Sequence, residues 1–130
     1  MKLTRTTARL TLLAITFFAS LALMAPVSQA LDLVSAPLLG GGFACRALNA
    51  SHSTLAITMD ILGTTGTSLI GGPGTSTVPP GQTVSAGLGF GGPSHGYCTV
   101  SSPTAKKGDI KLGFCTTDQN SNCVAAVSAE

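Results

Sequence analysis

The 130-residue chain has no tryptophan, a single tyrosine (Tyr97), and charged side chains at only 9% of its positions. A core without large aromatics has to be assembled from Leu, Ile, Val, Ala and a few Phe, and such a core is thin. So few long charged side chains leave little material for the i,i+4 ion pairs of exposed helices. No amphipathic helix is legible beyond the first 30 residues, and no solenoid-type repeat is present. The chain also lacks a Gly-x-Ser-x-Gly elbow and a Gly-Lys-Ser/Thr phosphate loop. Gly40-Gly41-Gly42 and Gly71-Gly72-Pro73-Gly74 open no helix, so they read as loops. Asp118-Gln119-Asn120-Ser121-Asn122 lacks the spaced acids and terminal Glu of a calcium loop and reads as a turn.

What is present begins with a targeting pattern. The formal charge of +2 belongs to the first 30 residues. Lys2, Arg5 and Arg9 precede an apolar run over 10–24, Pro26 breaks the helix, and the small residues Ser28 and Ala30 stand where a signal peptidase reads. The run over 10–27, interrupted by Thr11, Thr16 and Ser20, is short and polar for a permanent anchor. Residues 1–30 are therefore expected to be a cleaved signal peptide, with no second run of spanning length after it. Its removal leaves Arg46, Lys106, Lys107 and Lys111 against Asp32, Asp60, Asp109, Asp118 and Glu130, a small net negative charge. That balance gives no charge-based case for nucleic acid. The membrane is met only through the cleaved segment. The remaining length suits one domain and leaves little room for a nucleotide-binding layout with a separate substrate domain.

All 16 glycines follow residue 30, and they separate short runs rich in β-branched residues. Residues 31–42 read as a flexible lead-in, with an edge strand over 31–35 as the one ordered alternative. The segment 43–49 reads as a strand with Phe43, Cys45 and Ala47 on one face. Over 55–62, Leu55, Ile57, Met59 and Ile61 alternate with Ala56, Thr58 and Asp60, which sends the first set inward and the second to solvent. Short strands are expected over 67–70 and 75–78. Pro79-Pro80-Gly81-Gln82 turns the chain. Val84, Ala86, Leu88 and Phe90 share a face of the next strand, and the strand over 96–102 carries Tyr97, Cys98 and Val100. Ile110, Leu112 and Phe114 alternate over 109–116, and a last strand covers 123–128. Seven or eight short strands with turns between them predict an all-β, antiparallel two-sheet sandwich over 43–130, with a small barrel as the rival.

The four cysteines, Cys45, Cys98, Cys115 and Cys123, allow three pairings. An exported chain meets an oxidising compartment, so two disulfides are expected. Cys115 and Cys123 flank one hairpin within bridging reach. Cys45 shares an inward face with Phe43, and Cys98 shares one with Val100. The faces therefore favour Cys45 with Cys98 and Cys115 with Cys123.

Candidates for chemistry are sparse. His95 precedes Cys98 by three residues, but a metal site or Cys–His nucleophile needs a free thiol. His52 sits among Ser51, Ser53 and Thr54, and a nucleophile there would need an orienting acid from Asp60, Asp109 or Asp118. The same three acids are the only carboxylates for a glycosidase pair, apart from Asp32 and the terminal Glu130. Asp60 and Asp109 read as strand-face and strand-edge residues and Asp118 as a turn residue. Asn49-Ala50-Ser51 is a glycosylation sequon, usable where the exporting cell carries that machinery. Lys106, Lys107 and Lys111 form a small basic patch without interleaved aromatics.

Cys45-x-x-Leu48-Asn49, the alternating strand over 55–61, Val78-Pro79-Pro80-Gly81-Gln82-Thr83 before a strand, and Gly96-Tyr97-Cys98 together resemble small exported bacterial proteins with an immunoglobulin-like sandwich. The resemblance covers 43–130. It implies an immunoglobulin-like fold and transfers no functional residue; the buried Trp of antibody domains and the acidic site of calcium-dependent adhesion domains are both missing. The expectation is a secreted or periplasmic, non-enzymatic binding or structural module with no cofactor and no metal. Its partner would be a protein or cell-surface component, met through the loops at 71–74, 91–96 and 117–122 or through a sheet edge. The alternative expectation is a small secreted hydrolase, with His52 and His95 as first candidates, or a hydrolase inhibitor.

Overall fold

The computed structural model describes residues 30–89 and 91–129. The targeting segment, apart from Ala30, lies outside the described residues, as do Phe90 and Glu130. Among the described residues the chain forms nine strands: β1 (Leu31–Val34), β2 (Leu38–Gly40), β3 (Gly42–Asn49), β4 (Leu55–Gly63), β5 (Gly74–Val78), β6 (Thr83–Leu88), β7 (Ser94–Ser102), β8 (Ile110–Thr117) and β9 (Cys123–Ala129). They make two antiparallel sheets. The first runs β1-β7-β4-β5, with β2 also on β7, and the second runs β6-β3-β8-β9.

Period-two alternation puts the core where the sequence places it. Leu55, Ile57, Met59 and Ile61 of β4, Cys98 and Val100 of β7, Phe43, Cys45 and Ala47 of β3, and Ile110, Leu112 and Phe114 of β8 are all buried. They join one apolar cluster between the sheets. Phe43 and Phe114 stack, with ring centroids 5.5 Å apart and planes inclined by 16°. Space for the Phe43 ring comes from Gly96 on the opposing sheet, where a Cβ would stand 3.0 Å from the ring carbons. Any side chain at 96 therefore displaces the aromatic pair.

Two expectations are corrected. The segment 31–42 is not a flexible lead-in: the edge strand over 31–35 is formed as β1, and β2 follows it. Leu31 to Val34 pair with Ser102 to Thr99, and Leu38 to Gly40 pair with Gly96 to Ser94. Leu33 is buried, and Leu31 and Leu38 pack against the core. Between the two strands Ser35 holds the register: its N–H donates to the Cys98 carbonyl at 2.9 Å, and its Oγ accepts from the Cys98 N–H at 2.9 Å. The chain then changes sheet across Gly40 to Gly42. Gly40 lies so close to Thr116 that a Cβ would come within 2.6 Å of its Cγ2. The second correction concerns 67–70, which is not an independent strand. Its backbone meets β4 through a bridge from Ser68 to Leu62 and a bond from the Leu69 N–H to the Ile61 carbonyl.

Both expected disulfides are formed. Cys45 of β3 and Cys98 of β7 join the two sheets through the core, with Cα atoms 6.0 Å apart. Cys115 and Cys123, 5.7 Å apart at Cα, tie β8 to β9. A register shift between Thr116 and Thr117 brings Cys123 opposite Thr117, within reach of Cys115. No free cysteine is present among the described residues.

Candidate functional site

The sheet registers gather three connections at one end of the molecule. Gly63 at the end of β4 faces Gly96 near the start of β7. In the other sheet Phe43 faces Leu88 at the end of β6, and Gly42 faces Thr117 at the end of β8. The Gly91 N–H donates to the Gly41 carbonyl at 2.8 Å, which ties the β6–β7 connection to the crossing between sheets. The segments 64–73, 91–93 and 118–122 therefore share one end of the two sheets, which the Cys45–Cys98 disulfide joins. They contain Gly, Ser, Thr, Asn and Gln together with Leu69, Ile70, Pro73 and Pro93, and Asp118 is the one charge in the described part. A hollow of about 340 Å³ borders this end on the second sheet, lined by Arg46, Ser85, Gly87, Thr117 and Ser121 among others.

The turn at 118–122 is held by its own acid. Asp118 Oδ1 accepts the N–H groups of Asn120 and Asn122, each at 2.8 Å, and Oδ2 accepts the Asn122 side-chain amide at 3.3 Å. These bonds, the Asn122 N–H foremost, hold the carboxyl below its ordinary pKa. A depressed folded pKa means that the bonds stabilise the turn at neutral pH and are lost only as pH falls through that lower value. Amide resonances of Asn120 and Asn122 are accordingly expected to titrate together below the usual aspartate pKa of ~3.9. In Asp118→Asn that titration is expected to disappear.

The candidates for nucleophilic chemistry are not assembled. His52 is exposed in the β3–β4 turn, at the end opposite the three gathered loops. His95, expected in a loop, is exposed on β7 opposite Leu39. Alternation puts His95 on the outer face of its sheet, while Cys98, three residues on, faces the core in its disulfide. The length of nine-residue β4 separates the two histidines, roughly 30 Å at strand rise. Asp109 Oδ2 accepts the Lys106 N–H at 2.8 Å and closes the β7–β8 turn.

Asn49, read as a sequon residue, is fully buried. Its Nδ2 donates to the carbonyls of Ser53 and Val78, each at 2.8 Å, and its Oδ1 accepts from the Ser51 N–H at 2.9 Å and the Ser51 hydroxyl at 2.7 Å. The amide nitrogen is committed inside the domain, so the folded chain does not offer it to a glycan.

Asp60 departs furthest from expectation. Alternation places it on the outer face of the first sheet, yet it is only 7% exposed. The β4–β5 connection folds back over that face. Asp60 Oδ1 accepts the Ser68 hydroxyl at 2.7 Å and the Ile61 N–H at 2.8 Å, and Ser68 Oγ in turn accepts the N–H groups of Gly72 and Ile70. Beside it a groove of about 450 Å³ runs over β1, β7 and β4, and Asp32, Val34, Thr58, Asp60, Thr99 and Ser101 line it. No sequence pattern points to this groove. The one available signal is an Asp in the middle of a strand, where Asp is depleted.

Among the described residues no group of three or more His, Cys, Asp or Glu is placed to hold a metal ion, and no helix is long and apolar enough to cross a membrane. Two formed disulfides fit an oxidising compartment. No protein-family model, curated protein or solved structure matches the chain.

Proposed function

We propose that the chain is an exported, non-enzymatic binding or structural module on an immunoglobulin-like sandwich, acting in the periplasm or outside the cell. The observation that carries this reading is the gathering of 64–73, 91–93 and 118–122 at one end of two disulfide-braced sheets. Connections held on a rigid scaffold are the usual carriers of recognition. The inter-sheet disulfide between β3 and β7 supports the immunoglobulin-like reading. The partner is a protein or cell-surface component.

The test uses the oxidised chain without residues 1–30 as bait against envelope and medium of the exporting cell. A partner is expected that is retained by Lys107→Ala, at the opposite end, and lost with Gln119→Ala and Asn120→Ala together. Equal capture by both variants overturns the loop-end assignment. Hydrolysis of ester, peptide or glycoside substrates that vanishes with His52→Ala and His95→Ala overturns the non-enzymatic part.

A further inference from the structure

Among the described residues the outer edge of β9 pairs with no strand, and its composition is unusual for an edge. β9 ends the second sheet, beside β8. β8 is buried over most of its length, with β2 and β7 of the first sheet packed on it. One strand further out that cover falls away. None of the seven residues of β9 is buried, although all except Ser128 are Cys, Val or Ala, and Val124 is 65% exposed. From 119 to 129 the chain holds no charge, no proline and no glycine. An exposed edge is a row of open N–H and C=O groups, and proteins ordinarily blunt it with lysine, proline or a bulge. The register shift between Thr116 and Thr117 disturbs only the start of β9, and Ala125 to Ala129 pair regularly with Thr116 to Leu112.

The other edges are defended. β1 and β2 are separated at Ser35-Ala36-Pro37, and β1 carries Asp32. β5 has five residues, exposes hydroxyls and runs into Pro79-Pro80. β6 packs across the core on β4 and β5, with Val84, Ala86 and Leu88 against the apolar cluster. What suits the β9 edge is β9 itself. A two-fold axis normal to a sheet sets an edge strand antiparallel to its own copy and keeps inner face beside inner face. Centred on Val127, it places Val127 opposite Val127, Ala125 opposite Ala129, and Ala126 opposite Ser128. Val127 and Ala129 share the inner face with their β8 partners Phe114 and Leu112, so the half-covered apolar side chains of two copies cover one another. On the outer face only small side chains meet. The nearest charges in the sequence, Asp118 and Glu130, lie outside the strand, so no like charges are opposed within it. A charged partner strand finds nothing here to select it.

We infer that β9 pairs antiparallel with β9 of a second copy of this chain, about a two-fold axis through Val127, so that the second sheets of two copies become one continuous sheet. A ladder of seven residues is about 23 Å long. That is small for a specific interface, so the dimer is weak and forms as concentration rises. Each copy spends its one β9 edge in the pair, so assembly closes at two. The surface is separate from the loop tips and does not depend on the loop-end assignment.

The test is sedimentation equilibrium of the oxidised chain recovered from the exporting cell, from about 10 µM to about 1 mM. Monomer is expected to pass into dimer, with no larger species, and amide hydrogen exchange at 125–129 is expected to slow over the same range. Two double variants at exposed positions test the register. Ala126→Lys with Ser128→Lys sets lysine directly opposite lysine twice in the dimer, and it is expected to raise the dissociation constant roughly tenfold. Ala126→Lys with Ser128→Glu sets lysine opposite glutamate and is expected to return the constant to the wild-type value or below. Thermal unfolding at high dilution is expected to be the same for both variants and the wild type, which separates lost pairing from lost folding. The inference is overturned if the chain stays monomeric throughout, if it grows past the dimer, if the lysine–lysine variant dimerises as well as the wild type, or if the lysine–glutamate variant is as weak as the lysine–lysine one. Gln119→Ala and Asn120→Ala together, which read the loop end, are expected to leave the dimer intact, so failure of either assignment is visible without the other.

Discussion

Removing the inter-sheet disulfide with Cys45→Ala and Cys98→Ala together is expected to lower the unfolding free energy by about 4 kcal/mol, from the loop-closure entropy of its separation of 53 residues. The same treatment of Cys115 and Cys123, 8 residues apart, is expected to cost about 2.5 kcal/mol. The first loss is comparable with the whole stability of a small domain, which starts near about 5 kcal/mol. A second cause adds to it. Cys45 and Cys98 are completely buried between the sheets, so truncation also leaves a cavity. Cys115 is on the outer face of its sheet beside exposed Cys123, and its loss opens no space in the core. Urea denaturation of the two double variants measures the difference. Equal losses would show that the core bridge braces the sheets no more than the hairpin bridge does.

Asn49→Ala is expected to cost about 3 kcal/mol, although it removes neither a charge nor a large apolar group. Two donors disappear, and the carbonyls of Val78 and Ser53 lose their partners in a closed corner. That corner also joins elements distant in sequence. The Asn49 N–H donates to the Gln82 carbonyl, the Asn49 carbonyl accepts from Gly81, and the neighbouring Ala50 N–H donates to the Asp109 carbonyl. One side chain therefore secures the turns at 50–54 and 79–82 while the backbone beside it reaches 103–109. Asn49→Asp keeps the Oδ1 acceptor for Ser51 but sets a carboxylate against two carbonyl oxygens. It is expected to be at least as damaging at neutral pH. Ser51→Ala, which removes a largely surface hydroxyl, is expected to cost about 1 kcal/mol. Thermal unfolding of the three variants checks the order.

The role of Asn49 also shows where sequence patterns stop. Asn49-Ala50-Ser51 satisfies a glycosylation pattern, and nothing in those three residues reveals that the amide points into the domain. That direction depends on Val78, 29 residues away. The cysteines behave differently. Cys45 and Cys98 lie on strands whose alternation already aims them at the core, so their pairing follows from local faces. Leu33 falls between these cases. Its neighbours Leu31 and Val34 are apolar, but proline and glycine crowd the segment that follows, and only the ladder with β7 makes strands of it.

The sequence by itself determined most of the strands beyond residue 42, the inward side chains of β3, β4, β7 and β8, and both disulfides, because a period of two is a property of the local backbone and identifies a face without knowledge of the neighbours. The tertiary structure decided which strands adjoin, that 64–73, 91–93 and 118–122 meet at one end, and that Asp60 lies beneath the β4–β5 connection beside a groove. These depend on pairings between residues far apart in the chain and on the path of a loop rich in glycine, whose backbone is compatible with many courses until packing selects one.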